Sequence, residues 1–355
     1  MVQVTAEHIR TCVDQGIGVI TIDRPARFNS LDVRTAQDLR RAGLAMARDP
    51  AVRVVVLTGT NGVFCSGADL KYIRAGGDAD DLAYLTPSAR GLPDGFGERF
   101  KQILEYLHST IAEIRRAPKP FIAAVDGVAG AGGFGLAMCC DLVAASDRAS
   151  FEWAYGKTGL TGAESSTFML PRLIGFHRAM ELVLLNPRLD AAQARDLGLV
   201  NRVFPAASFD EDVRRLALAV AQGPAEAFGV AKGLLNQAAG MDRLDVHLDR
   251  ELELLARSAD GAEFQEGLTA FFGKRAPQFE TRSDRSDRSG RSGRSRSKGS
   301  GSDRSGPSGR SHGPQANLND PNANDPNVPN GSNDPNDPND PNDPNDPNDP
   351  NARYA

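Results

Sequence analysis

The segment Asp126 to Asp141, DGVAGAGGFGLAMCCD, constrains the fold more than any other part of the chain. It follows an apolar, strand-like run at residues 121–125 and leads into a short apolar helix. Gly130, Gly132, Gly133 and Gly135 let a ligand come close to the backbone, and the first N–H groups of the helix have no intrahelical acceptor. Strand, glycine turn and helix start in that order make a site for an anion.

Two chemistries fit such a site. Gly130, Gly132 and Gly135 match G-x-G-x-x-G, the dinucleotide fingerprint. The helix, however, has room for only about two turns before the next strand-like run at residues 142–145, whereas a dinucleotide-binding crossover needs about 30 residues. The other chemistry is an oxyanion hole, in which a backbone N–H stabilises a carbonyl oxygen as it becomes negative. That requires a second donor from elsewhere in the chain.

The 355 residues, 40% hydrophobic and 25% charged, suit a globular protein of one or two domains. Hydrophobic residues nearly vanish after Thr281, so the expected folded unit ends near residue 280. Cys12, Cys65, Cys139 and Cys140 form no C-x-x-C pair and the five histidines have no metal-ligand spacing, which points to neither a disulfide framework nor a metal site and to a reducing, cytoplasmic setting. No apolar run approaches 18 residues and no secretory pattern opens the chain, so a soluble protein without a membrane partner is expected.

Along the chain, residues 2–10 and 18–22 read as strands joined by a turn at 14–16. Ser30 is placed to cap a helix from Leu31 to about Arg48, and residues 52–58 are a buried-strand run. A loop at residues 59–70 follows, with a helical start at Ala68; residues 73–97 read as a long loop or lid. Residues 98–116 have helical periodicity through Phe100, Ile103, Leu104, Leu107, Ile111 and Ile114, stopped by Pro118 and Pro120. Beyond the glycine segment come a short segment at 150–155, a Gly/Thr/Ser-rich loop, helices near 167–174 and 177–185, a helix capped by Asp190 and ended by Gly198, and a returning strand. Four helical segments lie between residues 208 and 272. Alternating strands and helices followed by helices alone imply an α/β fold with a parallel core and an appended helical layer.

The rest is low complexity. Residues 282–310 are Arg/Ser/Gly-rich and basic, and residues 319 onward repeat Asn-Asp-Pro and are acidic. Such segments bury too little apolar surface to order themselves, and a solvated tail is the expected reading, ahead of nucleic-acid binding.

The second donor is offered by another glycine-bearing loop after a strand, Cys65-Ser66-Gly67-Ala68-Asp69. Together, ITIDRPARFNSL, VVVLTGTNGVFCSGADLK, FIAAVDGVAGAGGFGLAMCCDLVAAS, LDAAQARDLGLVNRVFP and FFGKRAPQF resemble the crotonase family, also called the enoyl-CoA hydratase/isomerase family, over residues 2–280. The resemblance implies a crotonase-like ββα spiral core at 1–200, a C-terminal helical trimerisation layer at 201–280 and a disordered tail at 281–355. It implies a homotrimer or hexamer and an acyl-CoA thioester as substrate, with no cofactor beyond the coenzyme A of the substrate. It also implies that the N–H groups of Ala68 and Gly132 form the oxyanion hole. Arg27, Lys71 and a neighbouring subunit's Lys274 would lie near the coenzyme A phosphates, with Asp69 and Leu70 in the same binding segment.

Two departures stand out. Hydratases of this family carry one glutamate three residues after the oxyanion glycine and a second after the next strand; here these positions are Gly135 and Tyr155. Glu164, in TGAESST, becomes the candidate acid or base. His108 falls where the related chlorobenzoyl-CoA dehalogenases carry a catalytic histidine, and those enzymes have an aromatic residue at the Tyr155 position, but their nucleophilic aspartate falls on Ala163, one place short of Glu164. Tyr155 and Trp153 read more as pocket wall than as acid. The expected function is hydratase or double-bond isomerase chemistry through a stabilised enolate. The alternatives are a dehalogenase- or hydrolase-like reaction using Glu164 and His108, or acyl-CoA binding without catalysis.

Overall fold

A strand–strand–helix unit repeats along the chain in the computed structural model, which describes residues 6–78, 81 and 95–279. The hairpin of β1 (Ile9–Asp14) and β2 (Ile17–Ile22) leads to α1 (Val33–Arg48). The next unit is β3 (Val54–Gly59), β4 (Val63–Cys65), α2 (Leu70–Ala75) and α3 (Phe96–Arg116). Then come β5 (Phe121–Val125), β6 (Val128–Gly130) and α4 (Gly132–Met138), followed by β7 (Leu142–Ser146), β8 (Ser150–Glu152) and α5 (Ser166–Ile174). The strand-bearing part ends with α6 (Phe176–Leu185), β9 (Leu189–Asp190), α7 (Ala191–Leu197) and β10 (Arg202–Phe204). Four helices close the described chain: α8 (Phe209–Ala221), α9 (Ala225–Ala238), α10 (Leu244–Ala259) and α11 (Ala262–Phe272).

Among the described residues, the longer strands form a six-stranded sheet in the order β1-β2-β3-β5-β7-β10, and the short ones a four-stranded sheet, β4-β6-β8-β9. All pairs are parallel except β1 with β2 and β8 with β9. The larger sheet is covered on both faces. Val55, Leu57, Phe121, Ala123 and Val125 face the main core, while Val54, Val56, Ile122 and Ala124 pack with Phe209, Val213 and Ala217 of α8. Burial on both sides is why these strands read as unbroken apolar runs. The apolar stripe of α3 is buried at all six positions named from its periodicity, and α3 packs between α1 and α10.

The structure moves several boundaries. The first strand begins at Ile9, and residues 2–5 of the expected strand lie outside the described residues. Asp32, not Ser30, caps α1, accepting from the Thr35 N–H at 2.8 Å, because Leu31 is held in a parallel bridge with Ala68. Helix α2 starts at Leu70 and is capped by Asp69. The strands β4 and β6 lie inside stretches that read as a loop and as a glycine turn, since three residues are too few to show alternation. Of the expected lid at 73–97, residues 73–78 and 95–97 belong to or flank α2 and α3, while 79–80 and 82–94 lie outside the described residues, as does the tail from 280 onward. No described helix is long and apolar enough to cross a membrane.

Candidate active site

β4 and β6 are parallel neighbours, so the chain leaves both at the same edge of the small sheet. The turns that follow them touch. A Cβ added to Gly67, which is left-handed at φ +94°, would lie 3.1 Å from the Gly132 nitrogen and 2.8 Å from the Ala131 Cβ. Leu31 donates to the Gly67 carbonyl and accepts from the Asp69 N–H, both at 2.9 Å. In such a parallel bridge the intervening residue turns its own N–H to the opposite side, and among the described residues that of Ala68 has no acceptor. Gly132 is the first residue of α4, whose hydrogen bonding begins with the Gly135 N–H to the Ala131 carbonyl at 3.1 Å. Its N–H is therefore free. Ala131, at φ +46° and ψ −116°, holds a backbone conformation that costs about 1–3 kcal/mol in a non-glycine residue. Its N–H donates to the Glu152 carbonyl at 3.0 Å.

Below the first donor, Asp69 is buried and accepts from the N–H groups of Lys71 and Tyr72, both at 3.0 Å, from Arg24 Nη1 at 2.8 Å and from Arg27 Nε at 2.9 Å. Burial alone would raise its pKa, but Arg27, the Tyr72 N–H and Arg24 outweigh burial and hold the carboxyl below its ordinary value. Arg27 thus braces the Ala68 turn through Asp69, with 30% of its side chain still exposed. Arg24, which the sequence reading did not single out, is the second brace and also pairs with Asp32. Leu70 is half-buried against the core, Lys71 is exposed in the first turn of α2, and Lys274 is exposed beyond the end of α11.

The Glu164 carboxyl lies against the second donor. Its Oε1 is 2.8 Å from where a Cβ on Gly132 would stand, and its Oε2 accepts from the Tyr155 hydroxyl. Gly135 is what admits it: the space a side chain would need there is filled by the Glu164 carbonyl oxygen and, at 2.7 Å, the Glu164 Cβ. A residue larger than glycine at 135 and this placement of Glu164 exclude each other. Only 3% of Glu164 is exposed, and burial pushes its carboxyl up to about 8; the Tyr155 hydrogen bond opposes the rise and the charge of Glu251 adds to it. Burial and the neighbouring Glu164 hold the Tyr155 phenol well above its ordinary value, so it remains a donor. The Trp153 ring packs against Tyr155 at 5.1 Å, tilted by 57°, and Trp153 donates to Ser166 Oγ at 3.2 Å.

The structure thus brings Glu164, Tyr155, Gly132 and Ala68 together. His108 stands elsewhere in the same layer, buried on α3 with Nε2 4.0 Å from Glu251 Oε2, and burial pushes its ring down to about 4 against the pull of Glu251. Glu251 was not visible as a site residue in the sequence, where it is one of many acids in an amphipathic helix.

The family model for enoyl-CoA hydratase/isomerase matches residues 13–90 and 98–282. The chain is 33% identical over 275 residues to the 1,2-epoxyphenylacetyl-CoA isomerase of Escherichia coli (strain K12), covering 77% of this chain and 98% of that protein. It is 31% identical over 267 residues to the 4-chlorobenzoyl coenzyme A dehalogenase-2 of an Arthrobacter species, covering 75% of this chain and 91% of that protein. The solved enoyl-CoA hydratase of Mycobacterium avium subsp. paratuberculosis K-10 superposes with a TM-score of 0.67 at 30% identity, over 78% of this chain and 100% of that one. The paired donor turns sit on a scaffold shared over the whole length of these proteins, and the chain belongs to the enoyl-CoA hydratase/isomerase family.

Proposed function

We propose that this protein shifts a double bond within an enoyl-CoA thioester, with Glu164 as the single proton carrier and the N–H groups of Ala68 and Gly132 as donors to the thioester oxygen. The observation that carries this reading is the Glu164 carboxyl against Gly132, in the space that Gly135 leaves open. Ionised Glu164 takes a proton from the carbon next to the thioester of a 3-enoyl-CoA, and the electron pair moves onto the carbonyl oxygen as a dienolate. Each N–H donor aimed at such an oxyanion is worth about 3 kcal/mol. Glu164 then returns the same proton to the γ carbon, so one carboxyl completes the reaction without water. A group that must both take and give a proton works best with a pKa near the working pH, and about 8 is close to it. The E. coli relative named above is, by its name, also an isomerase of a CoA thioester.

Hydrolysis through Glu164 and His108 has less support, because His108 Nε2 lies 4.0 Å from Glu251 Oε2 on a ring that burial keeps neutral, and a carboxyl of raised pKa is a weak nucleophile at neutral pH. Lys71 is assigned to the phosphate end of coenzyme A, with Arg27 reaching it from Asp69. Exposed Leu234 and Leu235 of α9 and Val246 of α10, with Leu184 and Leu185 of α6, offer apolar surface for a homotrimer, which light scattering would measure.

The test is conversion of 3-hexenoyl-CoA to 2-hexenoyl-CoA, followed by NMR. Glu164→Gln is expected to slow it by about 10²-fold or more. Full activity in that variant, or hydration of 2-hexenoyl-CoA faster than isomerisation of the 3-enoyl ester, would end this reading. Binding of both esters without turnover would favour the non-catalytic alternative.

A further inference from the structure

Glu164 and Ser165 are both left-handed, at φ +50° and +61°, although neither is glycine. Two such residues in succession persist only where their surroundings hold them. Ser165 is the N-cap of α5 but makes no side-chain cap, so the start of that helix needs an acceptor from elsewhere. Glu251 supplies it from α10. Its Oε2 accepts from the Ser165 N–H at 2.8 Å, its Oε1 from the Thr167 N–H at 3.1 Å, and Oε1 also accepts from the Thr167 hydroxyl. The carboxylate is 5% exposed, and a buried negative charge at a helix N-terminus is in its favoured place.

We propose that Glu251 is a positioning residue for the reaction: its carboxylate, reaching from the C-terminal helical layer, tethers the left-handed Glu164–Ser165 turn and so keeps the Glu164 carboxyl against Gly132. This rests on the reading of Glu164 as proton carrier. The turn is fixed from three sides: by Glu251 at the backbone of Ser165 and Thr167, by the absent side chain of Gly135, and by the Tyr155 hydroxyl at Oε2. The charged neighbours are few. Glu164 sees Tyr155 and Glu251, and Cys65 senses its charge. Glu251 sees His247 on its own helix at 3.5 Å and His108 of α3 at 4.0 Å, and Asp249 adds a negative charge near His108. The negative charge of Glu251 favours the protonated form of Glu164, so the tether also tunes the group it holds.

The test is Glu251→Gln in the full chain, with Glu164→Gln alongside, measuring 3-hexenoyl-CoA isomerisation against pH and the titration of Glu164 by NMR of ¹³C-carboxyl-labelled glutamate, assigned by its loss in Glu164→Gln. The expected result in the folded variant is a kcat lower by about tenfold or more with KM within about threefold, and a lower pH for both the kcat/KM limb and the Glu164 titration. An unchanged kcat overturns the proposal, as does a reduced kcat with an unmoved titration. Should Glu251→Gln not fold, Thr167→Val removes one donor to Glu251 but leaves its charge, and a smaller fall in kcat with a Glu164 titration that does not move down is expected; an unchanged kcat overturns the proposal. If Glu164→Gln is fully active, the proton-carrier reading fails, and the Glu251→Gln titration alone decides whether Glu251 tethers the turn.

Discussion

The turns that carry Ala68 and Gly132 and the turn that carries Glu164 meet within van der Waals distance, but they are built by different means. In the first pair the proposed working atoms are backbone N–H groups. They are freed by local rules: a parallel bridge that turns the Ala68 N–H away from Leu31, and a helix start at Gly132. Of their supports, Asp69 adjoins Ala68, while Arg24 and Arg27 reach it from the stretch after β2, 45 and 42 residues earlier. At Glu164 the proposed working atoms belong to a side chain, and every support comes from a different element: Gly135 from α4, Tyr155 from the 3-10 turn after β8, Glu251 from α10. A backbone donor needs only a local conformation, whereas a side-chain acid needs a cavity, a partner and a tuned pKa.

The sharpest way to break this contrast is at Gly132, which belongs to both halves. Gly132→Pro deletes the donor, and any Cβ there also presses on Glu164 Oε1. In a folded variant, kcat is expected to fall by about 10²–10³-fold or more, the loss seen when one oxyanion donor is removed. Activity equal to wild type would remove Gly132 from the site.

Gly135 tests whether Glu164 has displaced the family's usual acid in space. Gly135→Ala drives a Cβ into the Glu164 backbone, and overpacking of this kind costs about 1–3 kcal/mol, read by urea denaturation, with a matching loss of isomerisation. Gly135→Glu should do worse and gain no hydration. Hydratase activity in Gly135→Glu with stability intact would show that the two positions are compatible.

A smaller effect is expected at Tyr155. Its hydroxyl favours the ionised form of Glu164, so Tyr155→Phe should raise that pKa above about 8 and move the limb of the kcat/KM profile to higher pH by roughly one unit, tenfold in rate at neutral pH. A limb that moves down or stays would show that the phenol does not act on Glu164.

The least effect is on stability against pH. Glu164, raised to about 8, binds more protons folded than unfolded between about 4.5 and 8, so its part of the stability falls as pH rises through that window. His108, lowered to about 4, binds fewer protons folded than unfolded between about 4 and 6.5, so its part rises with pH there. The two oppose each other between about pH 4.5 and 6.5. Relative to wild type, His108→Leu should expose a decline with pH and Glu164→Gln a rise, each up to about 1 kcal/mol per pH unit in that window. Parallel curves for the variants and the wild type would show that neither group is perturbed.

Much of this was legible in the sequence because it is local. The strand at Phe121–Val125 matches its apolar run, and the Asp190 cap and the Gly198 stop of α7 follow from residue type and spacing. The two turns that touch at Gly67 and Gly132 were legible as glycine-bearing loops after strands, since glycine marks where a backbone must come close. What escaped was short or distant. β4 and β6 are too short to show a period, and Asp32 took the cap expected of Ser30 because a bridge to Ala68 had already claimed Leu31. Arg24 had a signal in the closely spaced arginines of RPAR, but nothing near Glu251 distinguishes it from Glu253 or Asp249.

By itself, then, the sequence determined the alternation of the longer strands with helices, the two glycine-bearing turns and the lack of the usual glutamates at 135 and 155, because these are set by residue type and near-neighbour spacing. Only the tertiary structure decided that Glu164 occupies the place beside Gly132, that Tyr155 is its donor, and that Glu251 holds the turn from α10. Proton affinity depends on burial and on charges within a few ångströms, and those are brought together by packing between elements distant in the chain, not by their order in it.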